Sequence, residues 1–592
     1  MLCTSRTVAS IIRHVMLGTA ATLATATLAT TLVSCADESQ PEYWVDKLDD
    51  QAWRPRAIKR LEQFFEDAVT KANKDIKDPQ VQALLNKIID PLTKTYVEHY
   101  SDVDVKTRVA LIKLVAAFRD PRAEPALKKA LDEYIKRPTK SQDETDIRWV
   151  IRAQKDLKLQ SLSDLILQVF MKVEAHSPLG ALVIKDLQDT MMSGPAKSWA
   201  PSLRKMLQAP IPAQDKDTFP EVKNQAYWQI VSCLLLGELH DAEAVEPMMR
   251  VLLDPLKGPV HPTALLALAR IGDPAVDAAI KLLKGQDKGL AEYHLAKLKK
   301  AQDLKEAPKD EPYVWMAAVV LGTSGNSKAI KPMIQVLKSQ EHETNKAVIL
   351  DELTKIPATA ESKAAFKEGF EALKLDTRNQ MGEKALPFLA EESVTRFFDP
   401  SMLDWLVSRA EETKGYPDEK KDLQVNILTT FIKLAKPNQL GKARAMMAEY
   451  GTKESKESKY KYFEEKLLAQ AEAVVGACGD RVECYLSYIE KSEVQKQENE
   501  FGGIKAAYMI GSLGDENAAM ELVDRLESLE NKSVLMAALK AIDYLLPKGS
   551  AKVAQKLDEI LEAHRKSADQ HRMEADHAIR QYMYRIRARA AG

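Results

Sequence analysis

Few side chains in this sequence are spaced for chemistry. Of the five cysteines, Cys478 and Cys484 stand close together, with Gly479 and Asp480 between them. Glycine fits the position just past a helix end and aspartate caps the next helix start, so the two thiols flank a tight corner between helices. A disulfide is the first reading of that pair. Two reduced thiols and metal ligation are the alternatives, the last weakened because two Cys alone do not complete a zinc site. Cys233 sits beside the apolar residues Ile230 and Leu234 and reads as a small core residue. His571, Glu574 and His577 form an H-x-x-E-x-x-H pattern near the C-terminus. At 3.6 residues per turn, a spacing of six spreads the two imidazoles by about 120° around the helix axis, which keeps them off one metal ion. No H-E-x-x-H, G-x-S-x-G or P-loop sequence occurs, and nothing assembles a nucleophile, a base and an orienting group. The chain therefore reads as no enzyme, with no catalytic, cofactor-binding or metal-ligating residue assigned.

Arg580, Arg585, Arg587 and Arg589 follow His577 with no acidic residue among them. Cations favour a helix C-terminus, which explains the run without a ligand. The alternative is contact with an anionic partner such as lipopolysaccharide or a polymer. A nucleic-acid partner is not expected, because 85 basic residues are balanced by 86 acidic ones and no large positive field results.

These residues must be positioned by helices. Tyr227, Ile230, Val231, Leu234 and Leu235 recur at i, i+3, i+4, i+7 and i+8, one apolar stripe of a 3.6-residue period. Gly237 ends that helix. Val245, Met248, Met249, Leu252 and Leu253 repeat the spacing, and Pro247 requires the start to lie close by, after a tight or 3₁₀ entry from Asp241. The unit recurs at once: Leu265, Leu268 and Ala269, then Gly272, Asp273 as N-cap, Pro274 at N1, then Val276, Ala279, Ile280 and Leu283. The same order of helix, Gly, Asp or Asn, "A-V-x-P-M", helix appears at Gly322, Asn326, Ile330, Pro332 and Met333, and at Asp120, Pro121, Glu124, Pro125 and Leu127. It recurs more weakly at Gly511, Gly514, Asp515, Ala519 and Leu522. Val245 to Val276 sets a pitch of 31 residues, inside the roughly 20–50 that marks repeat architectures.

This pattern resembles the HEAT-repeat family, including its short bacterial form. The resemblance implies an all-α fold, an α-solenoid of stacked antiparallel helix pairs, in which each pair buries its stripe against those before and after it. That architecture suits 592 residues with only 23 Gly and no strong strand signals. About a dozen pairs at 8 to 10 Å per layer would extend on the order of 100 Å and present a long groove. HEAT-type hydroxylases carry several His-Glu pairs at matching repeat positions, whereas His342-Glu343 occurs here once and outside the repeat signature. HEAT-type bilin lyases, which handle a chromophore and its carrier protein, supply the alternative function.

The N-terminus reads as an address. Arg6, Arg13 and His14 precede an uncharged run from Val15 to Ser34, the layout of a signal peptide. Leu32-Val33-Ser34-Cys35 resembles a bacterial lipobox, which implies cleavage before Cys35 and its diacylation, and an oxidising compartment for Cys478 and Cys484. Ala36 stands where enterobacterial inner-membrane lipoproteins carry Asp, which implies the outer membrane, facing the periplasm. The expected organisation is a removed signal peptide over 1–34, a lipidated tether over 35–41, a HEAT-like solenoid over 42–455, and C-terminal helical repeats with a cap over 456–592. Ala36–Pro41 spans about 20 Å when extended, so the first helices stand near the membrane. Trp44 and Trp53 then serve an N-terminal cap or touch the membrane interface. The Lys-, Asp- and Glu-rich stretch from Gly285 to Pro312 reads as a solvated insertion, and Gly415–Asp418 and Lys453–Lys461 as joints. The functional expectation is a lipid-anchored, cofactor-free scaffold that binds protein partners along its groove and the membrane through its lipid.

Overall fold

The computed structural model describes residues 37–137, 145–412, 421–450, 466–567 and 570–591. The signal segment, Cys35 and both expected joints, with the 455/456 boundary, lie outside them. The described residues form 29 α-helices joined by short 3₁₀ turns and no strand, only an isolated bridge between Arg378 and Lys384. The chain forms two compact units, one ending at Ala110 and one running from Leu111.

In the first unit, Pro41–Val45, Arg54–Lys71 and Pro79–Glu98 are helices with proline in the first turn, where its missing N–H costs nothing. Trp44 is fully buried, its Nε1 donating to the Glu38 carbonyl at 2.8 Å. It therefore packs as a core residue and presents nothing to a membrane surface.

In the second unit, consecutive helices pack neighbour to neighbour. The repeat signature has a local cause. Asp120 and Asn326 accept the N–H two residues on, which starts the 3₁₀ turns Pro121–Ala123 and Ser327–Ala329. Each turn runs straight into an α-helix, Glu124–Lys136 and Ile330–Ser339 respectively. Asp241 precedes the same turn and helix, Ala242–Ala244 followed by Val245–Leu252, without a side-chain cap bond. The alanine closing each turn, Ala123, Ala244 or Ala329, is fully buried. A larger side chain there would hold the turn off its neighbour, which is why the signature carries alanine. Asp399 opens a further copy, Pro400–Met402 then Leu403–Glu412, that the sequence pattern did not single out.

Asp273 departs from its expected role. Gly272 occupies the cap position, and the Asp273 carboxylate caps nothing; it accepts from Asn326 Nδ2 at 2.9 Å and Lys328 Nζ at 3.1 Å on a neighbouring corner. Similar ties join corner to corner elsewhere: Arg204 to Asp241, Lys363 to Asp399, Lys442 to Asp404 and Arg525 to Glu490. Their partners lie 35 to 38 positions apart. The spatial repeat is thus longer than the 31 residues read from Val245 to Val276, because turns and helix ends add to each pair.

The Gly285–Pro312 stretch is only half solvated. Its helix, Lys288–Ala301, turns His294 inward to the Leu253 carbonyl at 2.6 Å and sets Lys297 2.6 Å from the buried Asp254 carboxylate. Its longest mostly exposed run is 299–311.

The terminal helix departs furthest from the neighbour rule. Gln570–Ala591, the last described, packs on its predecessor Ala551–Ser567 and on Lys532–Leu545, but also on His261–Ile271 and Tyr313–Ser324 near the middle of the chain. Ala575, Ile579, Met583 and Ile586 make one buried stripe. Tyr584 and Arg585, on other faces, are buried as well, so the helix is enclosed on several sides rather than capping an end with one polar face out.

Candidate functional site

Where this terminal helix meets the helix ends of the mid-chain, charged side chains collect in the interior. The helix Glu343–Leu353 ends with Asp351 and Glu352 adjacent, and Lys355 follows just past the cap residue Thr354. Arg396 arrives from the 3₁₀ turn Val394–Phe397, Lys540 and Asp543 from Lys532–Leu545, and Arg585 and Arg589 from Gln570–Ala591. Lys355, Arg396, Lys540, Asp543, Arg585 and Arg589 line a cavity of about 320 Å³, together with Phe398, Tyr544 and Tyr582.

The carboxylates of Asp351 and Glu352 behave oppositely. Asp351 accepts from Arg396 Nη1 at 2.5 Å and Ser393 Oγ at 2.7 Å, with Lys355 Nζ 3.0 Å away. Burial works against its charge, yet the two cations outweigh that and hold the carboxyl well below its ordinary range. Glu352 is 2% exposed, with Oε1 2.6 Å from Lys355 Nζ and Oε2 without a hydrogen-bond partner. Burial pushes its carboxyl up to about 7, with Lys355 opposing and Asp351 adding to the rise. Two neighbouring carboxyls thus divide the work, one ionised and one able to hold a proton on its partnerless oxygen.

That division predicts a pH response. A glutamate with a folded pKa near 7 binds more protons in the folded than in the unfolded state between about 4.5 and 7. Its contribution to stability is therefore full below about 4.5 and falls as pH rises to 7, by on the order of 3 kcal/mol for a shift of this size. Glu352→Gln should remove that slope. Native-state hydrogen exchange of the Glu343–Leu353 amides at pH 5 and pH 8, corrected for intrinsic rates, should show the variant gaining stability over the parent only at pH 8. Equal slopes in both proteins would contradict the assignment.

Further ion pairs extend the cluster. Lys540 Nζ lies 3.0 Å from Glu392 Oε2, and Lys433 Nζ 2.9 Å from Glu391 Oε1. Lys505, fully buried in the apolar helix Glu500–Leu513, donates to the Lys433 and Ala435 carbonyls at 3.0 and 2.6 Å. Burial lowers its ammonium to about 7. It serves the free carbonyls at the end of the helix Lys421–Leu434.

The four arginines divide by helix face. Arg585 Nη2 donates to Asp543 Oδ2 at 2.7 Å and to the Lys355 carbonyl, and Arg589 Nη2 donates to Asp543 Oδ1 at 2.7 Å. Arg580 and Arg587 turn instead to a second cavity, of about 440 Å³, beside Tyr584, Asp189, Glu238 and Asp558. Tyr584 Oη donates to Glu238 at 2.7 Å. Arg585 and Arg589 are thus interior groups, with side chains 5% and 6% exposed.

The remaining sequence candidates are placed separately. Cys478 and Cys484 form a disulfide across the corner between Ala469–Cys478 and Val482–Ile489. Cys233 is buried, and burial pushes its thiol up to about 12, which keeps it protonated and unreactive. His342 precedes the helix Glu343–Leu353, and the Glu343 carboxylate accepts from Lys346, the Lys374 N–H and Thr377 Oγ1. Of the H-x-x-E-x-x-H pattern only His577 has a described side chain, and burial, then the Arg580 guanidinium beside it, lowers its pKa. The side chains of His571 and Glu574 lie outside the described residues. Among the described residues no group of His, Cys, Asp and Glu is arranged to hold a metal ion, and no helix is long and apolar enough to cross a membrane.

Asp351, Glu352, Lys355, Arg396, Lys540 and Asp543 were not among the sequence candidates. A signal existed: Lys540 and Asp543 interrupt the apolar run from Val534 to Leu546, as Lys505 interrupts that from Phe501 to Ile510. A charge inside a buried stripe demands a partner. No protein-family model matches the chain, and no curated protein matches it.

Proposed function

We propose that this chain is a lipid-anchored protein of the bacterial envelope, held by Cys35 in the outer membrane and facing the periplasm. Its helix pairs form a HEAT-type solenoid that acts as a non-enzymatic scaffold for protein partners. The observation that carries this reading is the recurrence of one corner, 3₁₀ turn then helix, together with ion pairs between side chains 35 to 38 positions apart that join helix ends along the chain. Such a stack repeats the same solvent-facing helix edges along its length, and a partner binds by summing modest contacts over several of them.

The test uses exposed residues on two neighbouring helices, Asp277 and Lys281 on Asp273–Leu283, and Lys331 and Lys338 on Ile330–Ser339. Partner recovery from detergent-solubilised envelopes should fall in steps as one pair and then both pairs are changed to Ala. Cys35→Ser should release the protein from the membrane fraction while leaving the fold intact. A single substitution that abolishes the cellular phenotype while partner recovery is undiminished would overturn the scaffold reading in favour of catalysis.

A further inference from the structure

The charge balance of the interior cavity is uneven. Five cations line it, Lys355, Arg396, Lys540, Arg585 and Arg589, against the two carboxylates Glu392 and Asp543. Asp351 and Glu352 lie outside the lining, Asp351 engaged by Arg396 and Lys355 and Glu352 by Lys355. A single carboxylate, Asp543, serves both Arg585 and Arg589. As a result Arg585 Nε and Arg589 Nε and Nη1 are buried with no acceptor among the described residues. Arg585 as a whole is 4% exposed. Burial pulls its guanidinium pKa down despite Asp543, with Arg589 adding to the effect.

Gly325 packs directly against these groups. Its backbone is left-handed, φ +61°, and a Cβ there would stand 3.0 Å from both Arg585 Nε and Arg589 Nη1. A side chain there would crowd the two guanidinium groups. Five cations around one cavity leave positive charge that two lining carboxylates do not balance, and oxygens of phosphate or carboxylate are the acceptors that match a guanidinium fork. The cavity volume, about 320 Å³, falls at the lower end of small-molecule sites, roughly 300–1,000 Å³. A polymer does not fit that space; a small anion does.

We infer that the cavity beneath Arg585 and Arg589 binds a small, soluble polyanion of phosphate or carboxylate type, which fastens the terminal helix to the mid-chain helices. This stands independently of the scaffold reading, since it concerns an interior site. Four walls come from segments far apart in sequence, so occupancy ties Gln570–Ala591 to Lys532–Leu545 and to residues 354–358. A ligand that binds only the closed arrangement stabilises it by mass action.

The experiment titrates the full chain in detergent with inorganic pyrophosphate and, separately, citrate, against sodium chloride at matched ionic strength. Isothermal titration and hydrogen exchange over residues 570–591 are the readouts. Saturable binding with added protection of that helix is expected. Arg589→Gln should weaken binding about tenfold, the loss of one or two charge-assisted hydrogen bonds. Lys540→Met, on the opposite wall, is the second variant and should weaken it too, so that misfolding of one variant does not leave the question open. Binding no stronger than chloride, binding unchanged in both variants, or protection only by vesicles containing phosphatidylglycerol would each overturn the inference.

Discussion

Asp543→Ala is expected to free the terminal helix. The change removes the carboxylate that accepts from Arg585 Nη2 and Arg589 Nη2, each at 2.7 Å, and leaves two buried guanidinium groups without it. Breaking a buried ion pair by deleting one partner costs roughly 3–5 kcal/mol, because the surviving charge stays desolvated. Here two charges are stranded, so the upper part of that range applies. The loss falls on the docking of Gln570–Ala591, read as faster amide exchange and proteolysis in that helix, while the first unit, through Ala110, keeps its protection. Adding Arg585→Met and Arg589→Met to Asp543→Ala should recover much of the loss, since the uncompensated charges go with the carboxylate. An Asp543→Ala protein whose terminal helix exchanges at the parental rate would show that the pairing does not hold it.

Gly549→Ala should act on the same helix by a different route. Gly549 has φ +72°, and a Cβ there would stand 2.2 Å from the Ile586 carbonyl and 2.4 Å from the Ala590 N–H group's nitrogen, both backbone atoms. Left-handed backbone costs a residue with a side chain roughly 1–2 kcal/mol. The collision adds more, on the order of 1–3 kcal/mol for forced backbone shifts, because a helix cannot give way locally as a flexible side chain does. Gly382→Ala separates the two terms: its φ is +80°, but nothing lies within 4 Å of the new Cβ. Hydrogen exchange over 570–591 should therefore respond strongly to Gly549→Ala and not to Gly382→Ala. Equal, small effects of the two would mean that the close approach is not maintained.

Helix existence and helix starts were legible in the sequence because their causes are local. An apolar residue every three or four positions marks a buried face wherever the chain lies, and Asp120, Asn326 and Asp515 accept backbone N–H groups only two or three residues away. The corner between Cys478 and Cys484 was legible for the same reason. Asp273 shows where that reasoning ends. Its type and position suit a cap, but its carboxylate is drawn to Asn326 and Lys328, more than fifty positions on, which no local pattern encodes.

The four C-terminal arginines make the contrast sharpest. From sequence alone they are cations near a helix end, stabilised by its dipole or offered to an anionic partner. Their i, i+4 and i, i+7 spacings determine that Arg585 with Arg589, and Arg580 with Arg587, share faces. Whether a face meets water or protein depends on which helix covers it. Here Lys532–Leu545 brings Asp543 against Arg585 and Arg589, while Glu238, 346 positions before Tyr584, borders the other face. The sequence determined an all-helical chain with its apolar stripes, caps and corners, since each follows from contacts within a turn or two. Only tertiary structure decided that its last helix returns to the mid-chain and buries a cluster of charges there, because a buried charge is tolerable only where a distant partner is brought to meet it.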